Sequence, residues 1–192
     1  MHDKDVRSAV RLWLDELHGG DPLTRVVEEM GIWAGSVRVD IAVINGELAG
    51  FELKSARDTL ERLPRQAALY NEVFDRMTLV VAEKHVTKAI AAVPHWWGIA
   101  TAHGDTAAVR LQTTRPASRN PQLNPIQVAR LLWRSEAATM LEKFGLIRGF
   151  RSKPVEALVA RLAAELPIET LRTEVRSVLK ARNGWLRQTV TN

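Results

Sequence analysis

Three residues could do chemistry together: Asp40, Glu52 and Lys54. They lie in two apolar stretches, Val37-Arg38-Val39-Asp40-Ile41-Ala42-Val43-Ile44 and Leu48-Ala49-Gly50-Phe51-Glu52-Leu53-Lys54-Ser55, joined by Asn45-Gly46-Glu47. Ionised groups inside apolar strands are costly to bury unless something compensates them. Two carboxylates brought close repel each other when both are ionised. A hard divalent cation removes that repulsion, and Mg²⁺ takes one or two carboxylates, several waters and substrate phosphate oxygens. The backbone carbonyl of Leu53 would be a further oxygen ligand. A lysine beside such a cation can hold or deprotonate an attacking water and offset charge on a phosphate. The chemistry so defined is hydrolysis of a phosphodiester.

The elements that must position these groups are two strands and their turn. Asn45-Gly46 is a strong hairpin signal. With a three-residue Asn45-Gly46-Glu47 loop, Ile44 pairs with Leu48, and Asp40 falls opposite Glu52 on the face shared with Lys54. A two-residue turn would set Asp40 across from Phe51, on the wrong face. The residue pattern allows either.

Around the hairpin the periodicity predicts an amphipathic helix over 3–18, with Val6, Val10, Trp13, Leu14 and Leu17 on one stripe and Gly19-Gly20 as its stop. Residues 24–32 read as a strand. A helix follows at about 63–75, with Pro64 in its first turn and Leu63, Ala67, Tyr70 and Phe74 on one stripe. Met77–Ala82 reads as a buried strand and Thr87–Val93 as a short helix stopped by Pro94. Trp97–Ala102 and Ala107–Thr113 read as two further strands. Residues 114–124 are polar, contain two prolines and read as a linker. Beyond them the pattern is helical: Pro125 to about Phe144, Pro154 to Leu166, and Ile168 to Arg182. The last two, with their short joint at Pro167, suggest a helix-turn-helix or a plain helical cap.

Charge divides the chain at the same place. Residues 1–111 hold 13 Lys and Arg against 16 Asp and Glu; residues 112–192 hold 14 against 6. A basic face is what a polyanion-binding surface requires. The candidates there are Arg130, Arg134, Arg148, Arg151, Lys153, Arg172, Arg176, Lys180 and Arg182. Nearer the hairpin, Arg57, Arg62 and Arg65 either reach phosphates or pair along the helix. Trp96, Trp97 and Trp133 either stack on bases or fill the core. There is no cysteine, which excludes disulfides and thiolate-held zinc. His85, His95 and His103 are too dispersed for a zinc motif. No apolar run is long enough to cross a bilayer. The acidic N-terminus running into a helix does not resemble a signal peptide, so an intracellular location is expected.

Asp40, then eleven residues, then Glu52-Leu53-Lys54 resembles the core motif of the PD-(D/E)xK nuclease superfamily, with Val39 where a proline is usual. The stretches Arg38–Gly46, Gly50–Ser55, Asp58–Gln66 and Phe74–Val81 are similar to the bacterial and phage sce7726 family. The resemblance is strongest over residues 25–82. It implies a restriction-endonuclease-like αβββαβ core of the α+β or α/β class at residues 1–113, followed by the linker and a basic helical subdomain at 125–192. It also implies an acidic partner on the preceding segment, Glu29 with Glu28 as its rival, and a supporting pair on the following helix. Gln66 would approach the metal and Tyr70 would help position substrate; their spacing of four shares a helix face.

The expected function is therefore a Mg²⁺- or Mn²⁺-dependent deoxyribonuclease of a cytoplasmic, bacterial or phage-encoded kind. Glu29, Asp40, Glu52 and the Leu53 carbonyl would hold metal, Lys54 would assist the water, and Gln66 would support both. A homodimer is compatible with this, since superfamily members that cut duplexes often pair. Two other readings stay open: a catalytically silent DNA-binding or regulatory module on the same fold, and an assembly protein acting through its helical tail.

Overall fold

The computed structural model describes residues 1–32, 35–104 and 108–185. A mixed sheet of six strands runs in sequence order: β1 Arg25–Ile32, β2 Val37–Ile44, β3 Leu48–Lys54, β4 Arg76–Ala82, β5 Gly98–Gly104 and β6 Val109–Arg115. The first three strands are antiparallel neighbours, β3–β4 and β4–β5 are parallel, and β5–β6 is antiparallel. The parallel steps need crossovers. They are supplied by α2 Leu63–Tyr70 and by α3 Val86–Ala92, which follows a 3₁₀ turn at Glu83–His85. At Gly50 the backbone of β3 comes so close to Met77 of β4 that a Cβ would meet the methionine sulfur.

Each face of the sheet buries its own apolar layer. On one side α1, Asp3–His18, lays Val6, Val10 and Leu14 against Ile41, Val43, Phe51, Leu53 and Val80. On the other side the larger layer joins α2 and α3 to the C-terminal helices: α4 Pro125–Ala129, α5 Arg134–Lys143, α6 Val155–Glu165 and α7 Ile168–Ala181. Tyr70, Leu79 and Trp97 share this layer with Leu132, with Leu158 of α6, and with Leu171 and Val175 of α7. The stretch 114–124 is bonded to the core rather than hanging from it. Asn120 is buried and donates to the carbonyls of Asn71 and Phe74, and Ser118 N–H donates to the Trp96 carbonyl.

Expectation and structure differ in two helices. The helix after the hairpin ends at Tyr70, not near Asp75, and the chain continues in turns in which the N–H groups of Val73 and Phe74 share the Tyr70 carbonyl. The single helix expected from Pro125 to Phe144 is two, α4 and α5. Its break falls where Leu131 and Leu132 are both buried, and the chain tightens through three-residue bonds to Val128 and Ala129. Trp133 then turns extended and starts α5, its N–H taken by Glu136. Asn124 caps α4, accepting from the N–H groups of Ile126 and Gln127. Ala107, the expected start of the last strand, lies outside the described residues.

Candidate functional site

The hairpin turn is the three-residue form: Ile44 pairs with Leu48, and the register runs through Val43–Ala49 and Ala42–Gly50 to Ile41–Phe51. There the pairing stops. Continued by one step it would set Asp40 against Glu52. Instead the Asp40 carboxylate replaces a backbone partner: its Oδ2 accepts from the Leu53 N–H at 2.8 Å.

The cause lies in a slip of side-chain alternation. Along β1, Val27, Met30 and Ile32 face the larger core layer; along β2, Val39, Ala42 and Ile44 do. The steps from 27 to 30 and from 39 to 42 are three residues rather than the two of a regular strand. Both strands therefore change face at the level of Glu29 and Asp40, the position left out between the Glu28–Ile41 and Met30–Val39 pairs. Glu29 has φ +50°, the one non-glycine residue with a positive φ among the described residues. Such a backbone costs about 1–3 kcal/mol and recurs at functional sites.

The slip corrects the expectation that Asp40, Glu52 and Lys54 simply share a face. Asp40 and Glu29 turn to α1, where Arg7 meets both. Its Nη2 lies 3.0 Å from Glu29 Oε1 and 3.0 Å from Asp40 Oδ1, while Nη1 donates to the Asp40 carbonyl at 3.1 Å. Glu52 and Lys54 turn to α2. Lys54 Nζ donates to Glu52 Oε1 at 2.6 Å and to Gln66 Oε1 at 3.1 Å, and Gln66 Nε2 donates to Glu52 Oε1 at 2.7 Å. The Tyr70 hydroxyl lies 2.8 Å from Glu52 Oε2 and 2.8 Å from the Arg38 carbonyl. Gln66 and Tyr70 reach the same carboxylate because four residues bring them round one helical turn.

Burial sets the electrostatics. Glu52 is 2% exposed and Lys54 is 7% exposed. Burial, and then the like charge of Asp40, push the Glu52 carboxyl above its ordinary value against the pull of Lys54. Burial raises Asp40 too, against the Leu53 N–H and the Arg7 guanidinium. Burial and the neighbouring Glu52 push the Tyr70 phenol far up, so it stays protonated and acts as a donor.

Among the described residues no three His, Asp or Glu side chains meet as a metal-binding group. The donor chemistry nevertheless suits a hard cation of the Mg²⁺ type, which needs no more than one or two carboxylates from the protein. Two carboxylates already converge on one positive group, Arg7, and a third is matched to Lys54. Of the expected ligands, Leu53 enters through its N–H, and Glu28 pairs with Arg11 rather than joining the site.

The expected phosphate contacts separate. Arg57, Arg62, Arg65, Arg130, Arg134, Arg148, Arg151 and Lys153 are exposed. Arg172 and Arg182 are buried in ion pairs, with Asp75 and Glu169 and with Glu136 respectively, and as placed do not face a ligand. Arg176 also meets Asp75, and Lys180 donates to the Leu23 carbonyl. Tyr70 is fully buried, so it orients Glu52 instead of touching substrate. Trp97 is likewise core, its indole N–H bonded to Asn71, whereas Trp133 is half-buried. Reading the sequence alone misses Arg7 and Asp75. The helical stripe of α1 draws attention to Val6 and Val10, and nothing local marks the arginine between them.

Fold and site define an α+β protein with a mixed six-stranded sheet and a buried acid–lysine network at the end of its third strand. The chain belongs to the family described as Bacteriophage P4 protein cII, which it matches over residues 2–190. It is 26% identical over 182 residues to Protein cII of Enterobacteria phage P4, a match covering 95% of this chain and 68% of that protein. Among solved structures it is similar to the SPO1766 protein of unknown function from Silicibacter pomeroyi, with a TM-score of 0.41 and 21% identity over 73% of this chain and 89% of that one. It is also similar to SfsA of Pyrococcus furiosus, solved in complex with Ca²⁺, with a TM-score of 0.31 and 15% identity over 60% of this chain and 61% of that one. No helix among the described residues is long and apolar enough to cross a membrane.

Proposed function

We propose that the protein is a metal-dependent nuclease that hydrolyses phosphodiester bonds of DNA, built on the PD-(D/E)xK plan suggested by its motif and by its likeness to the sce7726 family. The observation that carries the reading is the Glu52–Lys54 pair at the end of β3, tied by Gln66 and Tyr70 and adjoined by Asp40. A salt bridge serving stability alone gains nothing from a second buried carboxylate, Asp40, that repels Glu52.

Asp40 and Glu52, with the Leu53 carbonyl and Glu29 at the margin, would hold Mg²⁺ or Mn²⁺. The bound metal would supply Lewis acidity and a more acidic water. Lys54 donates two of its three N–H groups to Glu52 and Gln66, leaving a third for a water or a phosphate oxygen. Gln66 keeps Glu52 and Lys54 in one arrangement, and the Tyr70 phenol fixes the second Glu52 oxygen. The exposed Arg134, Arg148, Arg151 and Lys153, beside the α6–α7 pair read as a helix-turn-helix, would hold the phosphate backbone. The test is cleavage of plasmid and linear DNA with Mg²⁺ by the wild type, Asp40→Asn and Lys54→Ala. The wild type should cut and both variants should not; equal behaviour of all three would assign any activity to a contaminant and end the reading.

One observation favours the silent DNA-binding module instead: Arg7 already neutralises Glu29 and Asp40. That alternative expects salt-dependent DNA binding that is indifferent to Mg²⁺.

A further inference from the structure

The end of the sheet that carries Glu29 and Arg38 faces the C-terminal helices across a cleft of about 460 Å³. Its far wall is the α4–α5 joint with Trp133 and Arg134, the first turns of α6, and Trp185 beyond α7. Clefts of this size hold small organic groups. The guanidinium of Arg182 lies 4.4 Å from the Trp133 ring centre and 4.8 Å from that of Trp185. Arg182 is in turn anchored by Glu136 and the Leu131 carbonyl. The two indoles are thus braced by a buried ion pair, and the Arg25 guanidinium also lies over Trp185, 6.0 Å from its ring centre. The Trp185 indole N–H is enclosed and has no acceptor among the described residues. Such a donor costs free energy that an acceptor on a ligand would remove.

The rim is cationic on balance, with Arg38, Arg130 and Arg134 outnumbering the carboxylates Glu29 and Glu156. Arg38 is exposed, and Arg134 donates to the carbonyls of Arg151 and Lys153, which leave its charge unneutralised. Aromatic wall and cationic rim together select a ligand that is flat at one end and anionic at the other. The cleft also adjoins the acidic site at two points. Glu29 shares Arg7 with Asp40, and the Arg38 carbonyl shares the Tyr70 hydroxyl with Glu52.

We infer that this cleft receives one unpaired nucleotide of a single-stranded nucleic acid, its base against Trp133 and Trp185 and an adjoining phosphate on Arg38 and Arg134. The strand's next phosphodiester then runs toward Asp40 and Glu52; that last step rests on the proposed nuclease function, while the binding does not. Stacking on aromatic side chains is tolerant of base identity, so the cleft distinguishes unpaired from paired strands rather than one base from another.

The test is fluorescence anisotropy with a labelled oligothymidine, its duplex with oligoadenine, and free dTMP as competitor, in the Asp40→Asn background without metal. The single strand should bind, and Trp185→Ala and Arg38→Ala should each weaken it about tenfold. Duplex binding should be little changed, and dTMP should compete only at much higher concentration. Unchanged single-strand binding in both variants, equal loss for the duplex, or dTMP binding as tightly as the strand would overturn the inference. Arg38→Ala alters an exposed side chain and guards against misfolding as the cause, with circular dichroism as the check on both. Single-strand binding that responds to these variants in a protein that cuts nothing would leave the cleft standing and end the nuclease reading. Cleavage indifferent to both variants would do the reverse.

Discussion

Arg7 grips Asp40 twice, through the carboxylate Oδ1 at 3.0 Å and through the residue's own carbonyl at 3.1 Å. The same guanidinium nitrogen that holds Oδ1 also holds Glu29. One cation from the first helix therefore does for these two carboxylates what a divalent ion would do. Removing it takes the ion pair from Glu29 and leaves Asp40 with the Leu53 N–H and the charge of Lys54. Arg7→Ala should lower stability by about 1–3 kcal/mol. Added Mg²⁺ or Mn²⁺ should then raise the melting temperature more in the variant than in the wild type, because a ligand of the native state stabilises by mass action. Differential scanning fluorimetry with and without metal reads this directly; no metal response in either protein would argue against a cation site.

The raised carboxyls of Asp40 and Glu52 carry a sign for stability against pH. A carboxyl whose native value lies above its unfolded value of about 4 binds its proton more tightly in the folded protein. Its contribution is complete below that unfolded value and is lost as pH rises through the native one. Asp40→Asn cannot ionise at that position. The stability of Asp40→Asn minus that of the wild type should therefore grow from about pH 4 toward neutrality. Urea unfolding at a series of pH values measures it. A difference that shrinks with pH would mean that Arg7 and the Leu53 N–H outweigh burial.

Tyr70→Phe tests the brace beneath Glu52. The ring packs edge-on to Phe74, with centres 5.8 Å apart, and stacks on Trp97 at 6.2 Å, so the fold should survive. The loss is one donor to a buried carboxylate, worth about 1–3 kcal/mol. Under the nuclease reading the variant also loses activity while retaining DNA affinity, because Tyr70 is buried and does not reach substrate. Equal loss of binding and cleavage would contradict that placing.

Asp75 should prove the most sensitive acidic residue for stability. It is 2% exposed, accepts the Leu48 N–H at 2.7 Å, and meets Arg172 at 2.6 Å and Arg176 at 3.4 Å. Asp75→Ala leaves the buried Leu48 N–H without its acceptor and the buried Arg172 guanidinium with only Glu169 on the surface, a loss of about 3 kcal/mol. Arg176→Ala should cost far less, since Arg172 remains on Asp75. Chemical denaturation of the two variants separates these expectations.

The carboxylate network is legible in the sequence only as far as its signals are local. Asn45-Gly46-Glu47 allows the three-residue loop, and that loop delivers the Ile44–Leu48 register. The spacing of Gln66 and Tyr70 implies one helix face, and both do reach Glu52. The position of Asp40 is not legible, because alternation counted along β2 assumes an unbroken strand. The slip at Glu29 breaks it.

What the chain determined by itself was the strands and most of the helices, the turn, and the chemical kinds gathered on β2, β3 and α2, since periodicity, turn propensity and helical spacing act over a few residues. What only the tertiary structure decided was which charges neutralise which. Arg7 lies 33 residues before Asp40, and Arg176 lies 101 residues after Asp75. Arg172 and Arg182 look in sequence like any other cations of a basic helix, yet the packing of α7 buries them in ion pairs. Charge pairing across such separations follows from how layers pack, and no local pattern encodes it.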